Sequence, residues 1–390
     1  MREHWTLDPA ITFLNHGSFG ACPRAVLDAQ AELRARLERE PVRFFVYDLQ
    51  GLLDEARAEV AAFVGARPED LGFVRNATSG VNAVLRSLRF APGDELLATD
   101  HGYHANANLL DFVAERWGAK VVVAKIPFPI ADAAEAVEAI LGAVTDRTRL
   151  ALIDHVTSPT GLVLPIATIA RALEARGVDT LVDGAHAPGM LDLDVEGIGA
   201  SWYTANFHKH TCAPKGAAML WARRDKQASL HPAIISHGFD APAEKRFHAE
   251  LDWAGTDDPT PWLCVPVALR WLEAQVGWPE IRRRNRALTL EGRDRLCAAL
   301  GVSPPAPDAM IGTLAAVPLP PDPSGATPDG SLYASRLQRA LYDEDRIQVP
   351  IVPWPAPPAR LVRITAHLYN EVAEYEALGR ALVTRLDAGL

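Results

Sequence analysis

From about residue 50 to residue 225, short β-rich apolar runs alternate with stretches whose apolar positions recur every three to four residues. The runs are Leu71–Val74, Glu95–Ala98, Lys120–Ile126, Leu150–Asp154, Thr180–Val182, Trp202–Ala205 and Ala217–Ala222. Gly80–Arg89, Ala105–Trp117, Ala133–Val144 and Pro165–Arg176 carry the helical spacing. Strand, helix, strand at this rhythm predicts βαβ units, because parallel neighbours need a crossover connection that a helix supplies. The outcome is an α/β fold, a mainly parallel sheet covered by helices on both faces. No helical stretch separates the last two runs, which predicts an antiparallel strand there.

From about residue 260 the texture changes. Long helical patterns (Cys264–Gln275, Glu280–Leu300) precede a strand-like Thr313–Pro318 and a Pro/Gly/Asp/Ser stretch, Pro318–Ser331, expected to be an exposed loop. A helix over Leu332–Asp343, a Pro-rich edge over Val349–Pro358, a strand over Leu361–Thr365 and a final helix over Glu371–Leu386 predict a second, smaller α+β unit. The division expected is a large domain over 21–260 and a small C-terminal domain over 261–390, with residues 1–20 as a segment joining the small domain and lining the site.

The chain has 390 residues, 48% hydrophobic and 23% charged, enough to bury a large core and close to the globular average. A net charge of −10 argues against a nucleic-acid footprint, which wants a basic face. Four scattered cysteines, Cys22, Cys212, Cys264 and Cys297, form no CxxC pair and fit reduced thiols in a cytoplasm. The charged N-terminus reads as neither signal peptide nor anchor, and no apolar run reaches the roughly 18 residues of a membrane helix.

The candidate chemistry lies at the carboxyl ends of the expected strands, where open parallel sheets bind ligands. Five strands end in polar clusters: Asn76-Ala77-Thr78-Ser79-Gly80, Asp100-His101-Gly102-Tyr103-His104, His155-Val156-Thr157-Ser158-Pro159-Thr160-Gly161, Asp183-Gly184-Ala185-His186 and Asn206-Phe207-His208-Lys209-His210. One such cluster is ordinary turn chemistry; five on one edge point to a large polar ligand. Asn76–Gly80 opens a helix, so it suits either a plain N-cap or a phosphate at the helix N-terminus. It lacks both the Walker spacing and the GxGxxG of a dinucleotide site, which leaves a monophosphate. Asp183 emerges from an apolar strand and needs a partner, either a cap or salt bridge or a protonated ring nitrogen. Lys209 stands between two histidines; nearby cations and apolar walls lower a lysine's pKa and free the amine for an imine. Lys215, in Ala213-Pro214-Lys215-Gly216, is its rival and reads as a turn lysine. Tyr103 or His104 could stack on a planar ring or close a loop over the core. His208, His210 and Cys212 could be drawn as a zinc site with His101 or His104, but the paired spacing of such sites is missing, and no metal is expected.

These segments, in this order, resemble those of class V aminotransferase-type enzymes of fold type I, and within them the isopenicillin N epimerase-like branch. Three further segments agree: Phe13-Leu14-Asn15-His16-Gly17-Ser18-Phe19-Gly20, Trp253-Ala254-Gly255-Thr256-Asp257-Asp258, and Val362-Arg363-Ile364-Thr365-Ala366-His367-Leu368-Tyr369-Asn370. The resemblance implies a mainly parallel seven-stranded sheet and pyridoxal 5′-phosphate (PLP) as cofactor. Lys209 would be the catalytic residue, joined to the cofactor as an imine. Asp183 would pair with the ring nitrogen, His186 and Ser158 would lie near the ring hydroxyl, and Tyr103, or failing it His104, would stack on the ring. Thr78, Ser79 and His208 would hold the phosphate, with Asn206 nearby. Thr256 would reach in from a second subunit, which implies a homodimer with sites at its interface. Arg363 would clamp the α-carboxylate of an amino-acid substrate, and Asn15, with Arg43 as a further candidate, would line the substrate side.

The resemblance says less about the reaction. Epimerisation or racemisation at the α-carbon is the first expectation, β-elimination of the C–S lyase kind or transamination the second, and a catalytically silent PLP-binding protein the third. Related cysteine desulfurases carry a persulfide cysteine in a later loop, whereas Pro318–Val349 contains none. Gly102 stands where the family has Glu, and His210 where an aromatic is frequent; both bear on substrate choice.

Overall fold

The structure is a computed structural model that describes residues 1–325 and 335–390. A short strand β1 (Thr12–Phe13) leads into two long helices, α1 (Arg24–Arg39) and α2 (Leu49–Val64). Then come β2 (Leu71–Val74), α3 (Ala77–Ser87), β3 (Glu95–Thr99), α4 (His104–Trp117), β4 (Lys120–Ala124), α5 (Ala133–Gly142), β5 (Thr148–Asp154), α6 (Ile166–Glu174) and β6 (Asp179–Asp183). The large sheet is completed by β7 (Trp202–Asn206) and β8 (Ala218–Ala222).

Its seven strands lie in the order β2-β8-β7-β6-β5-β3-β4. All neighbours run parallel except β8, which is antiparallel to both β2 and β7. The expectation of an antiparallel strand after Trp202–Ala205 is met. The inner strands β7 and β8 are buried along their whole length because helices cover both faces, and the edge strand β2 is buried as well. The edge strand β4 shows the opposite, with Lys120 and Val123 exposed. Two apolar clusters fill the two faces, one around Leu97, Ile153 and Tyr203 and the other around Leu96, Leu152 and Trp202. These pairs alternate along each strand as the pleat requires.

Beyond β8, helix α7 (Ala243–Asp252) packs against β2. Helix α8 (Val265–Gln275) packs on α1 and α2 of the large unit, and α9 (Trp278–Leu300) packs on β9 (Leu314–Leu319). The smaller unit continues with α10 (Arg336–Asp343), β10 (Ile347–Gln348), β11 (Ile351–Pro353), β12 (Arg360–Thr365) and α11 (Val372–Asp387). Its antiparallel sheet has the order β11-β12-β9. The N-terminal segment is tied here: β1 pairs in parallel with β10, and Thr365 N–H donates to the Leu14 carbonyl.

Phe44–Tyr47 belongs to a π-helical stretch, Phe44–Asp48, continuous with α2. His237–Phe247 runs through a 3-10 turn into α7. The remainder of the loop expected over Pro318–Ser331, and the start of the helix expected from Leu332, lie outside the described residues.

Candidate active site

The polar strand ends converge. A cavity of about 340 Å³ opens beyond the carboxyl ends of β5, β6 and β7, and Tyr103, Ser158, Asp183, His186, His208 and Lys209 line it, with Thr78 and Asn206 at the α3 end. That volume is within the range of small-ligand sites. An adjoining hollow shares Ser18, Tyr103, Ser158 and Lys209 with it and adds Arg363 from β12.

Lys209 sits in the turn after β7, with its Nζ 3.0 Å from His186 Nε2. Burial, followed by the Arg363 guanidinium, pulls its ammonium down to about 7, while Asp183 and Asp154 work against the shift. Burial likewise lowers His208 to about 4 and His186 well below its ordinary value, so both imidazoles are neutral near pH 7. Asp183 closes β6 and is 4% exposed. One carboxylate oxygen accepts from Asn106 Nδ2 at 2.6 Å and the other from Ala185 N–H at 2.9 Å. Burial raises its pKa, and these two donors hold it back.

Asn76 caps α3: its side chain accepts from Ser79 N–H at 2.8 Å, while Asn206 Oδ1 accepts from Ala77 N–H at 2.8 Å. Thr78 therefore faces the cavity at a helix N-terminus, with its dipole favouring an anion. Ser79, about 100° further round the helix, lines a different pocket together with Thr256, Arg75 and Trp262. Within one chain neither Ser79 nor Thr256 borders the Lys209 cavity. His104 opens α4, is exposed, and does not line the cavity, whereas Tyr103 does.

In the adjoining hollow, Arg363 Nη1 donates to the Ser158 carbonyl at 2.6 Å and its Nη2 donates to Ser18 Oγ at 2.9 Å. Ser18 Oγ in turn donates to Asn15 Oδ1 at 2.6 Å. Asn15 is buried and borders a separate hollow, so in this structure it acts through Ser18 on Arg363. Arg43 is exposed, lies 4.0 Å from Asp48, and borders neither cavity.

Behind Lys209 lies a brace that the sequence did not disclose. His16 Nε2 is 2.8 Å from the Lys209 carbonyl oxygen, so that nitrogen carries the proton and donates; Nδ1 then accepts from the Tyr369 hydroxyl at 2.6 Å. His367 stacks on His16 with ring centroids 4.2 Å apart and points Nε2 at the His210 carbonyl, 3.3 Å away. Among the described residues His16, Cys212 and His367 form the one trio with metal-capable atoms within 4.8 Å of one another. Their N–H groups are committed to carbonyls and the stacked rings cannot aim both lone pairs at one ion, so the trio braces the lysine turn. The zinc grouping weighed from sequence does not assemble either: His101 is held by Thr160 (2.7 Å) and the Ile126 carbonyl (3.1 Å).

Sequence reasoning missed Asn106, Asp154 and Ser18. Asn106 has no motif around it; only its place one turn into α4 brings it to Asp183. Asp154 did have a signal, since Leu152-Ile153-Asp154 repeats the pattern of Leu181-Val182-Asp183. Lys215, read as a turn lysine, is exposed yet lines the cavity.

Residues 20–310 match the family described as Aminotransferase class-V. An isopenicillin N epimerase of Amycolatopsis lactamdurans is 37% identical over 397 residues, covering 98% of this chain and 96% of the relative. A probable chloroplastic L-cysteine desulfhydrase of Arabidopsis thaliana is 30% identical over 400 residues, covering 96% of this chain and 83% of the relative. Among solved structures, a lysine-to-alanine mutant of C-DES with glycine covalently linked to its PLP cofactor superposes with a TM-score of 0.78 at 22% identity, covering 98% of each chain.

Proposed function

The chain belongs to the class-V aminotransferase family, in its isopenicillin N epimerase-like branch, and from that premise we propose that it inverts configuration at the α-carbon of an amino acid. The cofactor is pyridoxal 5′-phosphate. The residues present fit it. A buried carboxylate, Asp183, and a lysine amine whose pKa is about 7 border one cavity, and His186 Nδ1 and His208 Nδ1 are buried without hydrogen-bond partners. When bound, PLP supplies an aldehyde for amines and a ring that accepts the electron pair released at the α-carbon.

The chain's own groups then have assignable tasks. Thr78 and the α3 N-terminus, with His208 and Asn206 nearby, hold the phosphate, and Ser79 and the partner's copy of Thr256 are proposed to complete that end. Asp183 would pair with the ring nitrogen, Tyr103 would stack on the ring, and Ser158 and His186 would lie near the ring hydroxyl. Arg363, fixed by Ser158 and Ser18, takes the substrate carboxylate in its planar fork. Lys209, its ammonium pulled down to about 7 by burial, takes the α-proton as general base. The observation that carries this reading is the buried Lys209 amine, which shares one cavity with Asp183 and the adjoining hollow with Arg363.

For the reaction type, the support is the near full-length likeness to isopenicillin N epimerases. A second reading, C–S β-elimination, is supported by the L-cysteine desulfhydrase relatives. A desulfurase route through an exposed persulfide is disfavoured, since all four cysteines are buried. Incubation with an amino-acid panel in deuterated water separates the readings. Deuterium at the α-carbon of an inverted product is the expected result; pyruvate with ammonia marks a lyase, and an absorbance change to the amine form of the cofactor marks a transaminase. Bound cofactor without turnover of any amino acid marks a silent binder.

A further inference from the structure

Asp154 is a buried carboxyl with no task in the reaction described above. It ends β5 as Asp183 ends β6, and the two are opposite partners in the parallel ladder. Paired positions on neighbouring strands send their side chains to the same face, about 5 Å apart at the backbone. Both residues are buried and both line the Lys209 cavity.

The groups around Asp154 can be named from every side. Asp183 faces it from β6 and Lys209 from the turn after β7, and the backbone N–H groups of Ser158 and Tyr103 approach it from the loops after β5 and β3. Arg363 and His186 stand one step further, against Lys209. Two adjacent buried carboxyls facing a single lysine do not both ionise. Asp183 has the better claim to the charge: Asn106 and Ala185 donate to its two oxygens at 2.6 and 2.9 Å, while the Ser158 and Tyr103 N–H groups only partly offset the burial of Asp154. Burial and the Asp183 charge both push Asp154 well above its ordinary range.

We propose that Asp154 is a positioning residue of the site, a neutral carboxyl beside Asp183 that leaves a single negative charge at the end of β6 for the cofactor's ring nitrogen. This deepens, and rests on, the reading of Asp183 as the ring-nitrogen partner. An ionised Asp154 would instead favour the charged form of Lys209.

The full-length protein without cofactor provides the first test. A carboxyl whose folded pKa lies above its unfolded value, about 4, costs stability progressively as pH rises from there toward the folded value. Asp154→Asn should therefore gain in unfolding midpoint over wild type as pH rises from about 4 to about 8. A lead that stays flat or shrinks over that range overturns the proposal. Asp154→Ala should show the same slope from a lower starting stability, which keeps the test open if one variant folds poorly. The loaded enzyme provides the second. Titration of the visible band should move by less than about half a pH unit in Asp154→Asn and by more than about one unit in Asp183→Asn. Equal shifts would mean that Asp154 carries charge, against the proposal. Should wild type form no visible band at all, the Asp183 reading fails, while the pH slope of the unloaded protein still decides where the proton sits.

Discussion

At the scale of single residues, the site works by setting charge states in a place with little water. Lys209 is the clearest case. Its folded pKa is about 7 against an ordinary value near 10.4, so the folded state binds fewer protons between those two limits. Stability then rises with pH across that window, and the penalty of the buried ammonium is fully present below pH 7. In the absence of cofactor, Lys209→Met should accordingly be more stable than wild type, most of all below pH 7. The gap should close as pH climbs toward about 10, as followed by thermal unfolding at fixed ionic strength. A gap that widens with pH would show that the amine is not depressed. Arg363→Ala removes a planar two-pronged donor from the hollow proposed for the substrate, and should weaken amino-acid binding about ten- to hundredfold while changing PLP affinity little. Parallel titrations of amino acid and PLP check this, and an equal loss of both would contradict the clamp role.

At the scale of elements, the positions of the functional side chains follow from helix starts and strand ends. The Asn76 cap begins α3, so Thr78 comes to the cavity and Ser79 turns away. Gly20 shows how tightly the N-terminal segment is set against the lysine turn. Its φ is +68°, and a Cβ there would overlap the His208 carbonyl oxygen and crowd Lys209 Cα. Gly20→Ala should cost roughly 3 kcal/mol or more in urea unfolding, since left-handed strain and backbone overlap act together. A loss under about 1 kcal/mol would mean that the segment can shift. The sheet strands and the helices between them were legible because their apolar spacing is strong and their ends carry turn residues. The long helix α1 was not. Its buried residues are Val26 and Gln30, with Leu33 and Leu37 packed part-buried against the core, so the inner stripe is narrow and interrupted by a polar residue.

At the scale of the whole molecule, the proposed phosphate end is incomplete in one chain, because Thr256 and Ser79 face an apolar pocket separate from the Lys209 cavity. Val46, Tyr47, Ile234 and Phe239 are exposed. The homodimer proposed from the family brings the partner's Thr256 to the site. Sedimentation should therefore give a dimer, and complementation can show whose threonine serves which lysine. Lys209→Ala and Thr256→Arg chains, each inactive alone, should regain about a quarter of wild-type activity when co-expressed, because about half of randomly paired dimers are hybrids and one of the two sites in each has both residues intact. Threonine and lysine acting within the same chain would leave the mixture inactive. Among the described residues no helix is long and apolar enough to cross a membrane.

The order of strands and helices, the antiparallel turn after Trp202–Ala205 and the five polar clusters at strand ends could all be read from the amino acids alone, because hydrophobic period and turn chemistry are local properties. The partnerships inside the site could not. The strand order β2-β8-β7-β6-β5-β3-β4 sets chain neighbours apart and makes neighbours of distant segments. Only that arrangement places Asn106 on Asp183, Asp154 beside it, and His16 against the Lys209 carbonyl, across 77, 29 and 193 positions of chain. A side chain's charge and hydrogen bonds depend on what surrounds it, and those surroundings exist only after the sheet has closed.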